Sequence, residues 1–438
     1  MTKKEFRLTS QSNSWSQIGL LAKRKGAVIN NMFRHFNTEN LREAYHAIDG
    51  SKAVGIDRTT KDQYGKNLDD NLQSLVDRLH KGTYRPQVKR GVEIPKANGK
   101  TRLIAVAAFE DKLVEWVLAQ ILTQLYEPLF IETSYGFRPR RSAFHAVKTT
   151  FNAIFKKKRN FVVDVDIRSF FDTVSHRKLI KMLEKRINDR KLLSLTARML
   201  AVGVLTQAKM VEKTQGTPQG GIVSPILSNI YLHHALDIWF IENFSREGGI
   251  MSRYADDVIF SFTTKEEMDK FFTQVKARLA HFNLEMNEDK SHKIDFTPRG
   301  GNVFHFLGFT FYWGKDRGTS KKRLKIKTKR DRLNKAIADV NTWLKENRNR
   351  FSTNKIWGRI ASILRGHYNY FGLSCNRPKL NHFFFTVRGL LFKWLNRRSQ
   401  RKSMSGAKFE RRLLRYPLPS PPDARKLKHP IDRRIYVH

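Results

Sequence analysis

Runs of β-branched and aromatic residues, together with stretches of helical periodicity, divide most of the chain into predicted elements. Strands are predicted at 161–167 and on both sides of a turn within 250–262. At 91–103, Asn98-Gly99 lies between two extended arms and indicates a β-hairpin. Apolar residues spaced three and four apart predict amphipathic helices, near residues 14–48, 66–81, 109–130, 176–203, 224–245 and 265–282.

The last third of the chain differs in composition from the rest. Residues 303–313 form an aromatic, strongly β-like run. Between Ser320 and Arg330, 7 of 11 residues are Lys or Arg and none is acidic. The chain beyond is helical, basic and aromatic until about residue 415, and a Pro-rich tail follows. We therefore predict an α+β fold with a domain boundary near 315–330 and a helical C-terminal domain.

Charge is the compositional property that narrows the function most. The 438 residues include 83 Lys+Arg and 40 Asp+Glu, a formal net charge of +43. Such a field attracts polyanions, with nucleic acid as the first candidate and an anionic membrane surface as the alternative. The N-terminus lacks an apolar signal core, and no uncharged apolar run approaches the ~18 residues of a membrane span. We therefore expect a cytosolic protein.

Cysteine usage excludes two classes of structural site. Cys375 is the only cysteine in the chain. An internal disulfide is therefore impossible, and a Cys-based zinc site is excluded as well.

Carboxylates mark two of the predicted strands. The adjacent Asp256 and Asp257 lie in the turn of the 250–262 segment, where they repel each other unless water solvates them or a divalent cation bridges them. The period of two puts Asp164 and Asp166 on one face of the 161–167 strand, where they also need a counter-charge. A metal ion supplies it, and a salt-bridged edge strand is the alternative.

Three further features suit phosphate chemistry. The glycine-rich turn Gln215–Gly221 leads into a predicted helix, whose positive N-terminal end attracts anions. Phe171 could lie against a sugar ring, although such an aromatic is more often a core residue. Lys290 could neutralise a triphosphate or donate a proton to a leaving pyrophosphate, and a solvated lysine is the alternative.

The order of these features predicts the plan of a palm polymerase. A basic hairpin, an acid-bearing strand, a glycine turn with its helix, the Asp-Asp hairpin, a lysine loop and an aromatic hairpin follow one another along the chain. On this plan, one carboxylate from the first strand and one or two from the hairpin hold two Mg²⁺ ions. One ion activates the primer 3′-hydroxyl and the other holds the triphosphate.

With these motifs in order, the chain resembles a group II intron-type reverse transcriptase, or intron maturase, from about residue 50 onward. The motifs that carry the resemblance are SYGFRP at 134–139, DIRSFFD at 166–172, TPQG at 217–220, YADD at 254–257 and FLGF at 306–309. The Pro-Gln-Gly form argues against the diversity-generating reverse transcriptases. The resemblance implies a right-hand polymerase with three regions: an N-terminal extension and fingers over 1–155, a palm over 156–318, and a helical thumb/maturase domain with a basic tail over 319–438.

The resemblance also implies roles for individual residues. Asp166, Asp256 and Asp257 become the catalytic metal ligands, with Ile167 beside them at the metal and nucleotide. The implied cofactors are two Mg²⁺ ions, for which Mn²⁺ can substitute, and the implied partners are an RNA template, a DNA primer and dNTPs. The other implied substrate contacts are Lys96 and Arg102 at the triphosphate, Phe171 as the screen against a 2′-hydroxyl, Gln219 at the nascent pair, and Leu307 and Gly308 in the primer grip.

RNA binding is expected in the fingers and above all in the thumb/maturase region. Basic helices with interleaved Tyr, Phe and Trp suit A-form RNA and unpaired loops. A helical bundle with a basic outer face is the alternative, and both readings can hold together. The candidate RNA-binding residues are Arg138, Arg365, His367, Tyr368, Arg397 and Arg398.

The chain departs from the family pattern in two places. After Arg102 the family has Pro followed by a Gly-Ile-Pro run, whereas this chain has Leu103-Ile104-Ala105-Val106-Ala107. The Cys-paired endonuclease domain of larger members is missing, so we do not expect target cleavage. Priming would then start from an existing DNA end, such as a strand at a replication fork.

Our leading hypothesis is RNA-directed DNA synthesis with binding of a parent intron RNA, which assists splicing and is copied into cDNA during retromobility. A bacterial-type cytosol, close to the nucleoid, is the expected location. One alternative is a domesticated reverse transcriptase that serves defence or repair. A second is a non-catalytic RNA-binding splicing factor, against which the intact Asp166, Asp256 and Asp257 argue.

Overall fold

The chain folds into two compact units that combine helices with small sheets. The structure is a computed structural model that describes residues 13–24, 26–95, 101–206, 210–211, 214–315, 320–398 and 404–422. The larger unit contains the described residues up to Ala153 together with Phe161–Lys293. The smaller unit contains Ile154–Asn160 and the described residues from Ile294 onward. The mixture of helices and mainly antiparallel sheets confirms the predicted α+β class.

Helices supply most of the core of the larger unit. At its centre is α5, which buries residues on every face and was predicted as a single helix from its apolar positions. The region predicted at 176–203 is instead two helices, because Asp189 caps the second one by accepting from the backbone N–H of Leu192 at 3.1 Å. The helices are α1 Asn13–Ala22, α2 Thr38–Ala47, α3 Lys61–Gly65, α4 Leu68–Lys81, α5 Phe109–Tyr126, α6 Ala143–Phe155, α7 Phe170–Thr173, α8 His176–Glu184, α9 Arg190–Ala201, α10 Ser224–Leu232, α11 Ile238–Phe240 and α12 Lys265–His281.

The helix predicted at 224–245 is continuous but not regular. Two π-helical segments, His233–Asp237 and Ile241–Ser245, follow α10 and α11 respectively. A π segment adds a residue to the local turn and changes which side chains share a face. This alters the direction of Asp237, whose role is described below.

Two four-stranded sheets carry the sequence motifs of the larger unit. The first has the order β2-β1-β4-β5, and its β1–β2 pair is the predicted hairpin, registered from Arg90 opposite Val106 to Pro95 opposite Thr101. The second has the order β6-β7-β3-β8, with β3 antiparallel to β7. The strands are β1 Lys89–Pro95, β2 Thr101–Val106, β3 Phe161–Val165, β4 Val204–Leu205, β5 Met210–Val211, β6 Ile250–Tyr254, β7 Asp257–Phe262 and β8 His292–Asp295.

The smaller unit combines a three-stranded sheet with a helical core. Its strands are β9 Phe304–Phe306, β10 Phe309–Lys315 and β11 Lys322–Thr328, in the order β11-β10-β9. Its helices are α13 Arg330–Asn347, α14 Thr353–Phe371, α15 Arg377–Asn396 and α16 Gly406–Arg415. Leu364, Phe383 and Leu391 are among the residues that form one apolar cluster across these helices.

The basic stretch 320–330, where composition predicts a domain boundary, lies within the smaller unit. It forms β11, in which apolar Leu324 and Ile326 alternate with exposed or half-buried basic residues. β11 pairs with β10 from Phe309 opposite Thr328 to Lys315 opposite Lys322. The predicted palm–thumb limit at 318/319 therefore falls inside one hairpin of the smaller unit. The functional limits of fingers, palm and thumb stay predictions.

Across the described ranges, every helix is too short or too polar to span a membrane.

Candidate active site

The turn that joins β6 to β7, residues 254–257, is here called the acidic turn. Tyr254 pairs with Asp257 at its base, and Ala255 has a left-handed backbone with φ of 59°. On the other side of β7, Val165 pairs with Val258, so the next residue, Asp166, comes beside Asp257. The structure thus brings Asp166, Asp256 and Asp257 to the same end of one sheet.

The charged groups around the acidic turn act on the pKa of Asp256. Burial raises the pKa of Asp256 above its ordinary value, and the carboxylate of Asp166 raises it further. Arg102 and Arg253 oppose both effects. The fingers arginine predicted to grip a triphosphate therefore acts electrostatically on the predicted metal ligand. Asp257 is exposed.

A polar loop that follows α12 fixes Asp166 from the other side. Asn287 Nδ2 donates to Asp166 Oδ2 at 2.9 Å, and Lys290 Nζ lies 3.7 Å from the same oxygen. The backbone N–H of Asp166 donates to Ser291 Oγ at 3.1 Å. The next residue, Ile167, forms an isolated antiparallel β-bridge with Met286. Lys290 was predicted from the sequence, whereas Asn287 and Ser291 were not. Their only signal was a short polar stretch around Lys290.

The arrangement of ligating groups is looser than a closed metal site. Within the part of the chain that the structure describes, no three carboxylate, imidazole or thiolate side chains converge as ligands of a single ion. Asp166 directs Oδ2 toward Asn287 and Lys290 instead. The three aspartates lie at one end of the sheet, but their oxygens do not form a cage.

The segment that carries the SYGFRP motif lies directly beneath the acidic turn. The backbone N–H of Tyr135 donates to the carbonyl of Arg253 at 2.8 Å, and the N–H of Arg253 donates to Thr133 at 2.9 Å. A β-carbon added at Gly136 would lie 2.3 Å from the nitrogen of Ala255. Gly136 is therefore required by the close approach of two backbones, which the sequence alone did not indicate.

The glycine-rich turn holds Phe171 in place. The backbone N–H of Thr217 donates to the carbonyl of Phe171, and that of Gly216 donates to Val174, both at 2.7 Å. Phe171 is half-buried and packs edge-on against Phe170, with ring centroids 5.3 Å apart. The predicted sugar-screening residue thus has a fixed backbone and a ring that is partly accessible.

Gln219 lies where the glycine-rich turn meets the fingers hairpin. Its carbonyl accepts from the backbone N–H of Ala105 at 2.8 Å, and its side chain reaches Asp172 at 3.4 Å. A β-carbon at the following Gly220 would lie 2.8 Å from Cγ2 of Ile104. The segment that departs from the family pattern is therefore packed against the Pro-Gln-Gly motif. Arg102 is exposed on β2, whereas Lys96 lies outside the described residues.

A buried ion pair ties the hairpin and the glycine-rich turn to the core helix. Lys89 Nζ, at the start of β1, lies 2.6 Å from Glu115 Oε1 on α5, and their side chains are 3% and 0% exposed. The other carboxylate oxygen of Glu115 accepts from the backbone N–H of Ile222 at 2.6 Å. Sequence reasoning does not predict this pair, because both residue types are usually at the surface.

The predicted primer grip is a tight turn between β9 and β10 in the smaller unit. Leu307 and Gly308 have φ of 50° and 80°, the signature of a two-residue hairpin turn. The hydroxyl of Tyr370 donates to the carbonyl of Leu307 at 3.0 Å, and Phe309 stacks on the same ring. Tyr370 therefore supports this turn.

Three of the predicted RNA-binding residues are buried, and their RNA-binding role stays a prediction. Arg138 is 6% exposed and donates to Glu127 and to the carbonyls of Ile131 and Ser134. His367 stacks on Phe383, and burial lowers its pKa to about 4, so it carries no charge for phosphate at neutral pH. Tyr368 is 6% exposed in the same helical core.

The other three predicted RNA-binding residues are accessible. Arg365 and Arg397 are exposed, and Arg398 is half-buried with Nη1 donating to Thr353 at 2.9 Å. In a basic, aromatic segment, the sequence pattern does not distinguish an arginine that faces the core from one that faces the solvent. Only the packing separates the two groups.

Comparison with known proteins places this geometry in a family. Residues 94–311 match the family described as "Reverse transcriptase (RNA-dependent DNA polymerase)". Over 292 residues the chain is 32% identical to Protein YkfC of Escherichia coli. The aligned region covers 59% of the chain and 76% of YkfC. The chain belongs to the reverse transcriptase family.

Two other relatives show which kind of reverse transcriptase this is. The chain is 37% identical over 190 residues to the group II intron-encoded protein LtrA of Lactococcus lactis. This aligned region covers 42% of the chain and 30% of LtrA. The chain is also 30% identical over 258 residues to the putative COX1/OXI3 intron 2 protein of Saccharomyces cerevisiae. This aligned region covers 57% of the chain and 29% of that protein. The similarity confirms the group II intron type, although the reverse transcriptase spans less than a third of these two relatives.

Proposed function

We propose that this reverse transcriptase synthesises DNA on an RNA template by two-metal catalysis at the acidic turn. The observation that carries the proposal is the meeting of Asp166 and Asp256 from separate strands, close enough for one carboxylate to raise the pKa of the other. Two such acids have no use in packing, and a shared divalent cation relieves their repulsion.

The donor set fits magnesium. Asp166, Asp256 and Asp257, with the backbone of Ile167, would hold the ions, and carboxylate and carbonyl oxygens are the hard ligands that Mg²⁺ prefers. Mn²⁺ accepts the same donors. When bound, the ions activate the primer 3′-hydroxyl and stabilise the charge of the departing pyrophosphate.

The chain's own residues orient the substrates around this point. Arg102 supplies positive charge at Asp256, where the triphosphate of a dNTP would be held. Lys290, 67% exposed beside Asp166, can neutralise the same phosphates. Phe171, fixed by the glycine-rich turn, would contact the sugar of the incoming nucleotide and exclude a 2′-hydroxyl. Gln219 would brace the nascent base pair.

We further propose that the smaller unit binds structured intron RNA, in support of splicing and retromobility. A cavity of about 620 Å³ in this unit is lined by Lys327, Lys329, Arg330 and Lys379, and Asp331 is the one acid among the described residues that line it. The exposed Arg365 and Arg397, and Phe385 with 60% of its surface exposed, add charge and stacking surface. Phosphates and unpaired bases are the matching ligands. The expected place of action is the cytoplasm, beside the nucleoid.

Primer extension on an RNA template tests the polymerase. With Mg²⁺, dNTPs and a DNA primer, we expect wild-type protein to extend the primer. Asp256→Asn and Asp166→Asn should abolish extension, whereas Asp62→Asn, an exposed residue on α3, should match wild type. Failure of the wild-type protein to extend any primer in Mg²⁺ or Mn²⁺ would refute the proposal.

A splicing assay tests the intron role separately. The Asp256→Asn protein should still accelerate splicing of its intron RNA, because this activity depends on the basic surface and not on the carboxylates. A double variant, Arg365→Gln with Arg397→Gln, should lose acceleration while extending a short primed template normally. Equal splicing rates with and without wild-type protein would contradict the intron role and leave the polymerase proposal intact.

A further inference from the structure

Arg253, the residue that precedes the acidic turn, is fully buried in an unusually complete set of contacts. Nε donates to Asp237 Oδ1 at 2.7 Å and Nη2 donates to Asp237 Oδ2 at 2.5 Å, a bidentate pair. Nη1 donates to Asn229 Oδ1 at 3.0 Å and to the carbonyl of Ala255 at 3.1 Å. Arg253 and Asp237 both have 0% of their surface exposed.

Fold stability alone does not explain a buried pair of this kind. Removing two charges from water is costly, and well-packed apolar residues at both positions often give an equally stable or more stable protein. Such a pair is instead useful where a backbone has to be held in one orientation. Besides Asp237 and Asn229, Arg253 also contacts such a backbone group, the carbonyl of Ala255.

The contact to Ala255 acts directly on the peptide that leads into Asp256. Ala255 has φ of 59°, which an alanine rarely adopts without outside support. Its carbonyl belongs to the peptide bond whose nitrogen is that of Asp256. By donating to this carbonyl, Arg253 fixes the plane from which the Asp256 side chain departs.

The π-helical segment brings the two partners of Arg253 together. Asn229 and Asp237 are eight residues apart, which is about 2.2 turns of an α-helix and would place them about 80° apart around the axis. The π segment His233–Asp237 adds a residue to its turn and reduces this offset. As a result, both side chains reach one guanidinium.

The same network reaches the segment beneath the turn. Asn229 Nδ2 donates to the carbonyl of Gly136 at 2.7 Å, and Gly136 approaches the nitrogen of Ala255. The acidic turn is therefore fixed by Arg253 on its own strand and by Gly136 from below, and Asn229 joins the two.

We infer that Arg253 and Asp237 are positioning residues for the polymerase reaction, which hold the acidic turn so that Asp256 faces Asp166. This inference rests on the proposed function, because the acidic turn matters only if its carboxylates act. It assigns no contact with substrate to either residue. It predicts that their loss changes catalysis and metal dependence without weakening nucleic acid binding.

The test compares Arg253→Lys, Asp237→Asn and the double variant Arg253→Met with Asp237→Leu. Lysine keeps the charge but cannot form the planar bidentate contact or reach the Ala255 carbonyl at the same time. The double variant removes both charges together, so the fold should survive. As a matched control, Arg78→Met with Glu110→Leu removes another Arg–carboxylate pair of the larger unit, joined at 2.7 Å.

All three variants should lower kcat for RNA-templated extension roughly 10- to 100-fold, as expected for a turn displaced by a fraction of an ångström. The Mg²⁺ concentration for half-maximal rate should rise severalfold, while KM for dNTP and template–primer affinity stay within about threefold. The control pair should match wild type. A folded double variant with wild-type kcat and Mg²⁺ requirement would overturn the inference. Inactive wild-type protein would refute the proposed function instead.

Discussion

Replacing Gly136 by alanine tests how tightly the acidic turn is held. The added β-carbon would lie 2.3 Å from the nitrogen of Ala255, 2.9 Å from the carbonyl carbon of Tyr254 and 3.0 Å from the Cα of Ala255. These are all backbone atoms, so no flexible side chain can move aside. The shortest contact falls roughly 1 Å below ordinary van der Waals separation. The acidic turn or the 134–137 segment has to shift by about that distance.

Two consequences of this shift can be measured. Overpacking a tight site costs about 1–3 kcal/mol, which should lower Tm by several degrees. Misplacing reactive groups by about 1 Å can cost about 100-fold in rate. We therefore expect Gly136→Ala to lower the rate constant of single-turnover primer extension by about 100-fold, with template–primer affinity unchanged.

Gly358→Ala is the matched control. Gly358 is an exposed residue of α14, and a β-carbon there meets nothing within 4 Å. Alanine should be neutral or slightly stabilising at this position, by at most about 1 kcal/mol. If Gly136→Ala extends primers within about twofold of wild type, the acidic turn is not held by this contact, and its geometry must be set elsewhere.

Three further predictions concern single residues. Phe171→Ala should raise ribonucleotide incorporation relative to deoxyribonucleotide by at least about tenfold, measured as the ratio of kcat/KM values; an unchanged ratio would remove Phe171 from the sugar contact. Lys290→Met should raise KM for dNTP severalfold and lower kcat, and an unchanged extension rate would show that Lys290 only pairs with Asp166. Burial raises the pKa of Asp111 to about 6 from 3.8, so the folded state binds this proton more tightly than the unfolded state. Protonated Asp111 therefore stabilises the folded state fully below about pH 4, and this contribution is lost as pH rises through about 6. The free energy of unfolding should fall by roughly 3 kcal/mol across this range. Asp111→Asn should remove this slope from urea denaturation measured between pH 4 and 7.

Local periodicity was sufficient to predict the elements that carry the motifs. The strand at 161–165 and the hairpin around Asp256 follow from short β-branched runs and a turn, which are properties of adjacent residues. The meeting of Asp166 with the acidic turn required the order of motifs as well, because no local pattern pairs Val165 of β3 with the distant Val258 of β7.

Residues whose role depends on packing could not be predicted. Arg138 and His367 looked like RNA contacts because they lie in basic or aromatic motifs, yet both are buried. Arg253 precedes the acidic turn in the sequence, and its charge alone predicts a residue at the surface. Its partner Asp237 lies on a π-helical segment, and nothing in the sequence signals the extra residue in that turn. In the basic run 320–330 the many charges hide the apolar alternation of Leu324 and Ile326, so its strand was not predicted.

The buried pair of Lys89 and Glu115 has a mechanical consequence for the fingers. Because the ammonium and carboxylate are both withdrawn from water, separating them would leave two uncompensated charges and cost about 3–5 kcal/mol. The start of β1 and the backbone of Ile222 are therefore both held to Glu115 on α5. Any movement of β1 and β2 relative to α5 therefore has to bend the strands beyond Lys89.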